Sequence, residues 1–317
     1  MSPRRPKGST ASQNGHAPAR RPTPDRMPAL ARLLAKPEPG SPHPPVGRSL
    51  LRGIGAVAWS VPTLATAFGI VLVLWLGLLA LGFEGPIGRL ASLAALPPLG
   101  TYTDALNATA IFGYGTTSFA ATAGFLVVRS IVSGILAGLA LGAVEGWSWR
   151  LAVLRGIRAI PAAAIAALLG LSVLVVGSVI FPLLGPGLGF LGSILALVAA
   201  LLLFVHGPIV AVVEPLPAFE AVRKGMRAAT MPGSRHLLLS VLYFFFALPI
   251  VPALAPQGPE LGVNPSLAAW LYALVATWLH VGFLAAFAYR YAAIRDVVPP
   301  PAPPKPRRAR GTAKPTS

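Results

Sequence analysis

The sequence predicts an all-α polytopic membrane protein, a bundle of six transmembrane helices with disordered tails. Three observations predict it. Of the 317 residues 55% are hydrophobic, only 11% are charged, and six separate apolar runs are each long enough to cross a bilayer. A soluble domain carries roughly 25% charged residues, so this composition cannot build a water-facing surface. Much of the protein surface must therefore face lipid.

The six apolar runs cover 58–82, 118–143, 160–182, 188–213, 236–254 and 268–290. As a helix, about 20 residues cross the hydrocarbon core, which is about 30 Å thick. The fifth run is the shortest and contains Pro249 and Pro252. A long loop, 83–117, separates the first two runs.

Two basic, proline-rich tails flank the bundle. Residues 1–46 hold eleven prolines and no periodic apolar pattern, and residues 297–317 have the same character. Neither segment can bury enough apolar surface to offset chain entropy, so we expect both to be disordered. The predicted domains are a tail over 1–46, a membrane domain over 47–296 and a tail over 297–317.

The distribution of Lys and Arg predicts the orientation. The chain has 26 basic and 9 acidic residues. The basic residues concentrate in the tails and in loops 144–159 and 214–235, whereas loops 83–117, 183–187 and 255–267 contain only Arg89. Since Lys and Arg stay on the cytoplasmic side, six spans place both termini in the cytoplasm. Composition rich in Ala, Gly, Pro and Arg indicates a bacterial protein, hence a multi-pass protein of the inner cell membrane.

The formal net charge of +17 points to an anionic partner. In a chain embedded in lipid, anionic membrane headgroups are a simpler partner than nucleic acid. The sequence has no cysteine and five histidines, two of them in the tails, so we expect no metal site. It contains no nucleotide-binding glycine loop, and we expect no cofactor.

The sequence repeats itself at an offset of 69 residues. Residues 152–159 read Ala-Val-Leu-Arg-Gly-Ile-Arg-Ala, and residues 221–228 read Ala-Val-Arg-Lys-Gly-Met-Arg-Ala. A fainter copy, 52–56, precedes the first span. We predict a unit that consists of a cytoplasmic amphipathic helix and a helical hairpin, used three times. Because each unit has two spans, the copies run parallel in the membrane.

The amphipathic segment 217–229 separates charged from apolar residues. Glu220, Arg223, Lys224 and Arg227 fall on one helical face, and Phe219, Val222 and Met226 fall on the other. This pattern is typical of a helix that lies in the headgroup plane. We expect headgroup contacts from Arg155, Arg158, Arg223, Lys224 and Arg227, and acyl-boundary positions for Val153, Ile157, Val222 and Met226.

The order of these features resembles a known group. One span ends with Pro208 to Glu214, an amphipathic Ala/Arg helix follows it, and then comes another span. This order resembles that of bacterial six-helix membrane proteins. These include the membrane domain attached to some glycerophosphodiester phosphodiesterases and related domains of unknown function. The resemblance covers mainly 200–250. No part of the sequence corresponds to the soluble phosphodiesterase domain, so the resemblance implies no catalytic residue.

Three polar residues inside the predicted spans are candidate substrate-binding residues: Arg129, His206 and His280. A charge at depth costs about 2.5–3.5 kcal/mol on insertion scales, so such a residue suggests a site. Pro208 leaves a backbone carbonyl unpaired near His206. The alternatives are that Arg129 reaches the outer headgroups and that both histidines are neutral packing residues.

Two glutamates and three glycines are expected to have structural roles. Glu145 and Glu214 close the second and fourth spans, and we expect them to pair with neighbouring arginines. Gly134, Gly138 and Gly142 form a stripe of small residues that permits close approach by another helix.

The sequence predicts no catalytic residue and no enzymatic activity. No carboxylate lies inside a predicted span, and no set of acids, histidines and nucleophiles converges at one depth. The predicted function is a non-enzymatic scaffold or accessory module that contacts anionic lipid, or a membrane-protein partner, through its basic cytoplasmic face. The alternative is a transporter or channel for a small or lipidic substrate.

Overall fold

The computed structural model describes residues 42–80, 94–96, 119–247 and 266–298, and all regular structure in these ranges is helical. The helices are α1 Val46–Trp59, α2 Val61–Ala80, α3 Phe119–Glu145, α4 Trp149–Arg158, α5 Ile160–Ile180, α6 Pro186–Phe204, α7 His206–Val213, α8 Ala218–Ala229, α9 His236–Phe245 and α10 Leu267–Ile294. A 3₁₀ turn, Phe181–Leu184, joins α5 to α6.

Four helical segments of the described chain are long and apolar enough to cross a membrane: Leu126–Glu145, Ile160–Gly177, Pro186–Val213 and Leu267–Ile294. The pair α1–α2 is bent by 84° and adds a fifth if it counts as one span. α9 is a shorter apolar helix, and the remainder of the predicted fifth span lies outside the described residues. The all-helical class with several membrane-length helices is thereby confirmed.

Prolines account for the breaks between consecutive helices. Pro62 and Pro161 are the second residues of α2 and α5, where the missing N–H removes no helical hydrogen bond. Pro208 has no N–H for the carbonyl of Phe204, four residues earlier, and α6 ends at Phe204. The chain therefore changes course between α1 and α2 and is interrupted between α6 and α7.

Helix α4 packs against the glycine stripe of α3. A β-carbon added to Gly138 would clash with the carbonyl oxygen of Ala152, and one added to Gly142 would lie 2.6 Å from the Ala152 side chain. One added to Gly134 would lie 2.9 Å from the carbonyl oxygen of Gly156. The stripe thus lies in close contact with the amphipathic helix that follows it in the same chain.

Helices α8 and α1 make the same kind of contact elsewhere. A β-carbon on Gly225 of α8 would lie 2.9 Å from the backbone nitrogen of Gly207 in α7. A β-carbon on Gly53 of α1 would lie 2.5 Å from the carbonyl oxygen of Gly282 in α10. Each amphipathic helix thus meets a span at a point where both backbones lack side chains.

The folded part begins earlier than the sequence predicted. Val46 starts α1, and the carbonyl oxygen of Pro44 accepts a hydrogen bond of 2.5 Å from Arg290. Residues 42–46, expected to be part of a disordered tail, therefore belong to the fold. Residues 1–41 and 299–317 lie outside the described residues, as does nearly all of the predicted loop 83–117.

We predict that Gly53→Ala destabilises the protein and that Gly55→Ala does not. A β-carbon at position 53 would meet the backbone of α10, and overpacking of this kind costs about 1–3 kcal/mol. No atom lies within 4 Å of a β-carbon at Gly55, two residues away on the same helix. Alanine there should be neutral or stabilising by up to about 1 kcal/mol. Thermal unfolding of the two detergent-purified variants measures the difference, and equal melting temperatures would contradict the packing.

Candidate functional site

We call the exposed side of the amphipathic helices α1, α4 and α8 the basic face. On α4 and α8, Arg158 and Arg223 are exposed and Arg155 and Arg227 are half-buried. Large apolar side chains on α1, α4 and α8 are also exposed: Leu51, Trp59, Trp149, Leu154, Ile157 and Phe219. Exposed cations beside exposed apolar groups suit the boundary between headgroups and acyl chains.

Two basic residues of the basic face are held by partners within the chain. The ammonium of Lys224 lies 2.8 Å from both carboxylate oxygens of Glu214. On α4 the position that corresponds to Lys224 is Arg155. Its guanidinium lies 4.0 Å from the centre of the Trp147 ring. The expected pairing of Glu214 with an arginine is thus wrong, since its partner is Lys224. Glu145 is exposed and makes no ion pair within the described residues.

The apolar side chains of α4 and α8 do not all face the acyl boundary. Ile157 is exposed, whereas Val222 is buried because it packs against Gly207. Val153 and Met226 are half-buried against the core. The roll of α8 therefore follows the glycine contact, which turns Val222 toward the bundle.

Two of the three candidate substrate-binding residues lie in one cluster, which we call the Arg129 cluster. Arg129 is buried and donates a hydrogen bond of 3.3 Å to the carbonyl oxygen of Ala95. The next backbone N–H, that of Leu96, donates to the hydroxyl of Tyr243 at 2.7 Å. This hydroxyl lies 2.9 Å from Nδ1 of His280, and Arg129 interacts electrostatically with both.

The other candidate, His206, lies in a second cluster, the Arg290 cluster. Its ring stacks on that of His236, with centroids 4.4 Å apart and planes 8° from parallel. Phe287 and Tyr291 of α10 border the His206 ring. Arg290 is buried and interacts electrostatically with both histidines.

Arg290 joins three parts of the chain. Its guanidinium donates hydrogen bonds to the carbonyl oxygens of Pro44 and Ser234 and to the hydroxyl of Ser49. His43, just before these contacts, is mostly buried. Burial, and then the positive charge of Arg290, lower the pKa of the His43 imidazole. Arg290 thus connects the start of α1 and the turn before α9 to α10.

The two clusters occupy different depths of the bundle. Seven residues of α10 separate His280 from Phe287, the neighbour of His206, which corresponds to about 10 Å along a helix. The structure therefore brings Arg129 and His280 together and leaves His206 apart from them.

A line of buried polar side chains connects the two clusters. On α9 it comprises His236, Ser240 and Tyr243, which share one face at helical spacing. On α10, Thr277 and His280 lie at the Arg129 cluster and Arg290 lies ten residues beyond His280, and the buried side chains of 281–288 between them are apolar. The polar connection between the clusters therefore runs along α9.

Sequence reasoning missed three members of these clusters: Tyr243, His236 and Arg290. Tyr243 lies 37 positions from His280 in sequence, and Arg290 is the last residue of the sixth apolar run. One signal was present, since His236, Ser240 and Tyr243 fall at i, i+4 and i+7 in an otherwise apolar run. Polar residues at this spacing indicate a polar stripe on one helical face.

No group of three or more histidines or carboxylates is placed to hold a metal ion in the part of the chain that the structure describes. Comparison of the chain with models of known protein families, with curated proteins and with solved structures finds no match. The resemblance carried by 200–250 stays a prediction.

We predict that Tyr243→Phe destabilises the protein and that Tyr289→Phe does not. Loss of the Tyr243 hydroxyl leaves the Leu96 N–H and His280 Nδ1 without their partner, and a buried unpaired group costs about 1–3 kcal/mol. Tyr289, on α10, is half-buried and makes no hydroxyl hydrogen bond to any described residue. Chemical unfolding of both variants in detergent compares them, and equal stability would contradict this cluster.

Proposed function

We propose that this protein is a non-enzymatic scaffold or accessory module of the inner cell membrane. In this proposal its basic face contacts anionic lipid headgroups, and six spans are arranged as three units with both termini in the cytoplasm. The observation that carries the proposal is the recurrence of one docking arrangement in all three basic amphipathic helices.

The backbone supports the division into three units. The residue before each amphipathic helix has nearly the same φ/ψ values: −57°/143° at Pro45, −62°/144° at Ser148 and −55°/145° at Pro217. In each copy the glycine that meets a span follows eight residues later, as Gly53, Gly156 and Gly225. Equal spacing and equal dihedral angles are expected of copies of one unit.

The partners of the three helices support a closed arrangement. α4 docks on α3 and α8 docks on α7, each on the helix that precedes it. α1 has no preceding span in the described chain and docks on α10, the last one. The second and third units thus each contact the unit before them, and the first unit contacts the last span of the chain. This is the arrangement of a three-unit ring.

The position of the basic face supports lipid binding. Because the glycine contacts set the roll of α4 and α8, Arg158 and Arg223 point away from the bundle. Juxtamembrane cations contribute about 1 kcal/mol each near an anionic surface. Several such residues on one face, flanked by exposed apolar side chains, would hold anionic lipid without any catalytic group.

We predict that the basic face is cytoplasmic. Since the chain has no cysteine, single cysteines report the topology directly. An impermeant thiol reagent applied to intact cells should label Thr103→Cys and Gly258→Cys and leave Ser148→Cys and Glu220→Cys unlabelled until the cells are lysed. Labelling of Glu220→Cys from outside would refute the orientation.

We predict that Arg158→Gln combined with Arg223→Gln weakens binding of phosphatidylglycerol. Loss of about 1 kcal/mol per residue corresponds to about 30-fold for the pair. The matched control, Arg158→Lys with Arg223→Lys, keeps both charges and should bind within about threefold of the natural protein. Native mass spectrometry of the protein released from mixed phosphatidylglycerol and phosphatidylcholine discs measures retention. Equal retention by the glutamine variant would argue against the proposed function.

A further inference from the structure

The Arg290 cluster contains buried hydrogen-bonding groups without partners. Within the described residues, no ring nitrogen of His206 or His236 has a partner in hydrogen-bonding geometry. The carbonyl oxygen of Leu202 approaches the His206 ring without reaching that geometry. Both rings are fully buried. Buried polar groups in native proteins nearly always have a partner, so the N–H groups of these rings indicate a partner outside the described residues.

The charge of the same cluster is also unbalanced. Arg290 makes no salt bridge with a carboxylate anywhere in the described chain, and its Nε is buried without a hydrogen-bond partner. The carboxylate of Glu214 accepts hydrogen bonds from the hydroxyl of Tyr291, on α10, and from the ammonium of Lys224. A buried cation without an opposite charge is strongly unfavourable. A negative ligand would supply the missing charge.

A second arginine adds to the positive potential at this point. Arg235, between Ser234 and His236, interacts electrostatically with Arg290. Its φ of 51° lies in the left-handed region, which is uncommon for a residue with a side chain. The turn thus carries a strained arginine beside a buried arginine, an arrangement that favours an anion.

The number of unpartnered hydrogen-bond donors in the Arg290 cluster limits the size of that anion. A neutral imidazole has one N–H, and Arg290 Nε has one, so the unpartnered donors number about three. Three donors suit a small monovalent anion and leave most lone pairs of a phosphate unmatched. The two rings are in stacking contact, so the ligand would lie at their edges, where the N–H groups point.

We propose that the Arg290 cluster binds one small monovalent anion, of the size of chloride, through His206, His236 and Arg290. The cluster is buried, and Arg290 bonds the non-helical segment 42–45 at Pro44 and the turn 230–235 at Ser234, so we expect these segments to move when the anion enters. The neighbouring basic face raises the local concentration of anions. The site is distinct from lipid binding by exposed arginines. An interior anion site is also what the transport alternative would require.

Chloride binding to the full-length protein in a zwitterionic detergent tests the proposal. Chloride is titrated against gluconate at constant ionic strength, and the melting temperature and the ³⁵Cl NMR linewidth are measured. We expect the melting temperature to rise saturably with chloride, because a ligand that binds only the folded state stabilises it. A melting temperature that responds equally to both anions would overturn the site.

Two phenylalanine variants and one control make the test specific. His206→Phe and His236→Phe keep the ring stack and remove donors, so each should weaken chloride binding at least tenfold. His280→Phe removes a buried histidine of the Arg129 cluster and should change chloride affinity less than twofold, even if it lowers stability. Retention of chloride binding by both cluster variants, or its loss in His280→Phe alone, would refute the assignment.

Discussion

The close approach of two helix backbones at facing glycines is the contact on which the rest of the structure depends. Isolated helices of 10 to 14 residues, the lengths of α4 and α1, are marginal in water. Packing onto a span therefore stabilises them. At Gly156, Gly225 and Gly53 the contact leaves no space for a β-carbon, so it also sets the roll and position of each helix.

The fixed roll determines what each helix presents to its surroundings. On α8 it buries Val222 and Ala228 and leaves Arg223 and Phe219 exposed. The pattern of charged and apolar residues suggested a helix that faces lipid on its whole apolar side. Instead, this side is shared between the bundle and the exposed surface, because small residues permit close contact with a span.

Polar side chains inside a membrane protein are energetically unfavourable unless they are hydrogen-bonded. The two clusters differ in how completely their polar groups are hydrogen-bonded. Around Arg129, backbone groups of Ala95 and Leu96 and the Tyr243 hydroxyl form a connected set of hydrogen bonds. Around Arg290 the guanidinium is bonded to two carbonyls and a hydroxyl, while the imidazoles of His206 and His236 lack partners among the described residues. The first arrangement holds structure together, and the second is where we propose a bound anion.

The sequence by itself determined the helical membrane class, the approximate extents of the helices, the glycine stripe and the repeat at 69 residues. It also singled out Arg129, His206 and His280 as unusual. Hydropathy, charge and periodicity are properties of neighbouring residues, so they can be read along the chain. Tertiary structure decided that Tyr243 joins His280, that His236 stacks on His206, and that Arg290 lies inside the bundle. These contacts depend on which helices pair and on their roll, and both are set by packing between residues far apart in sequence.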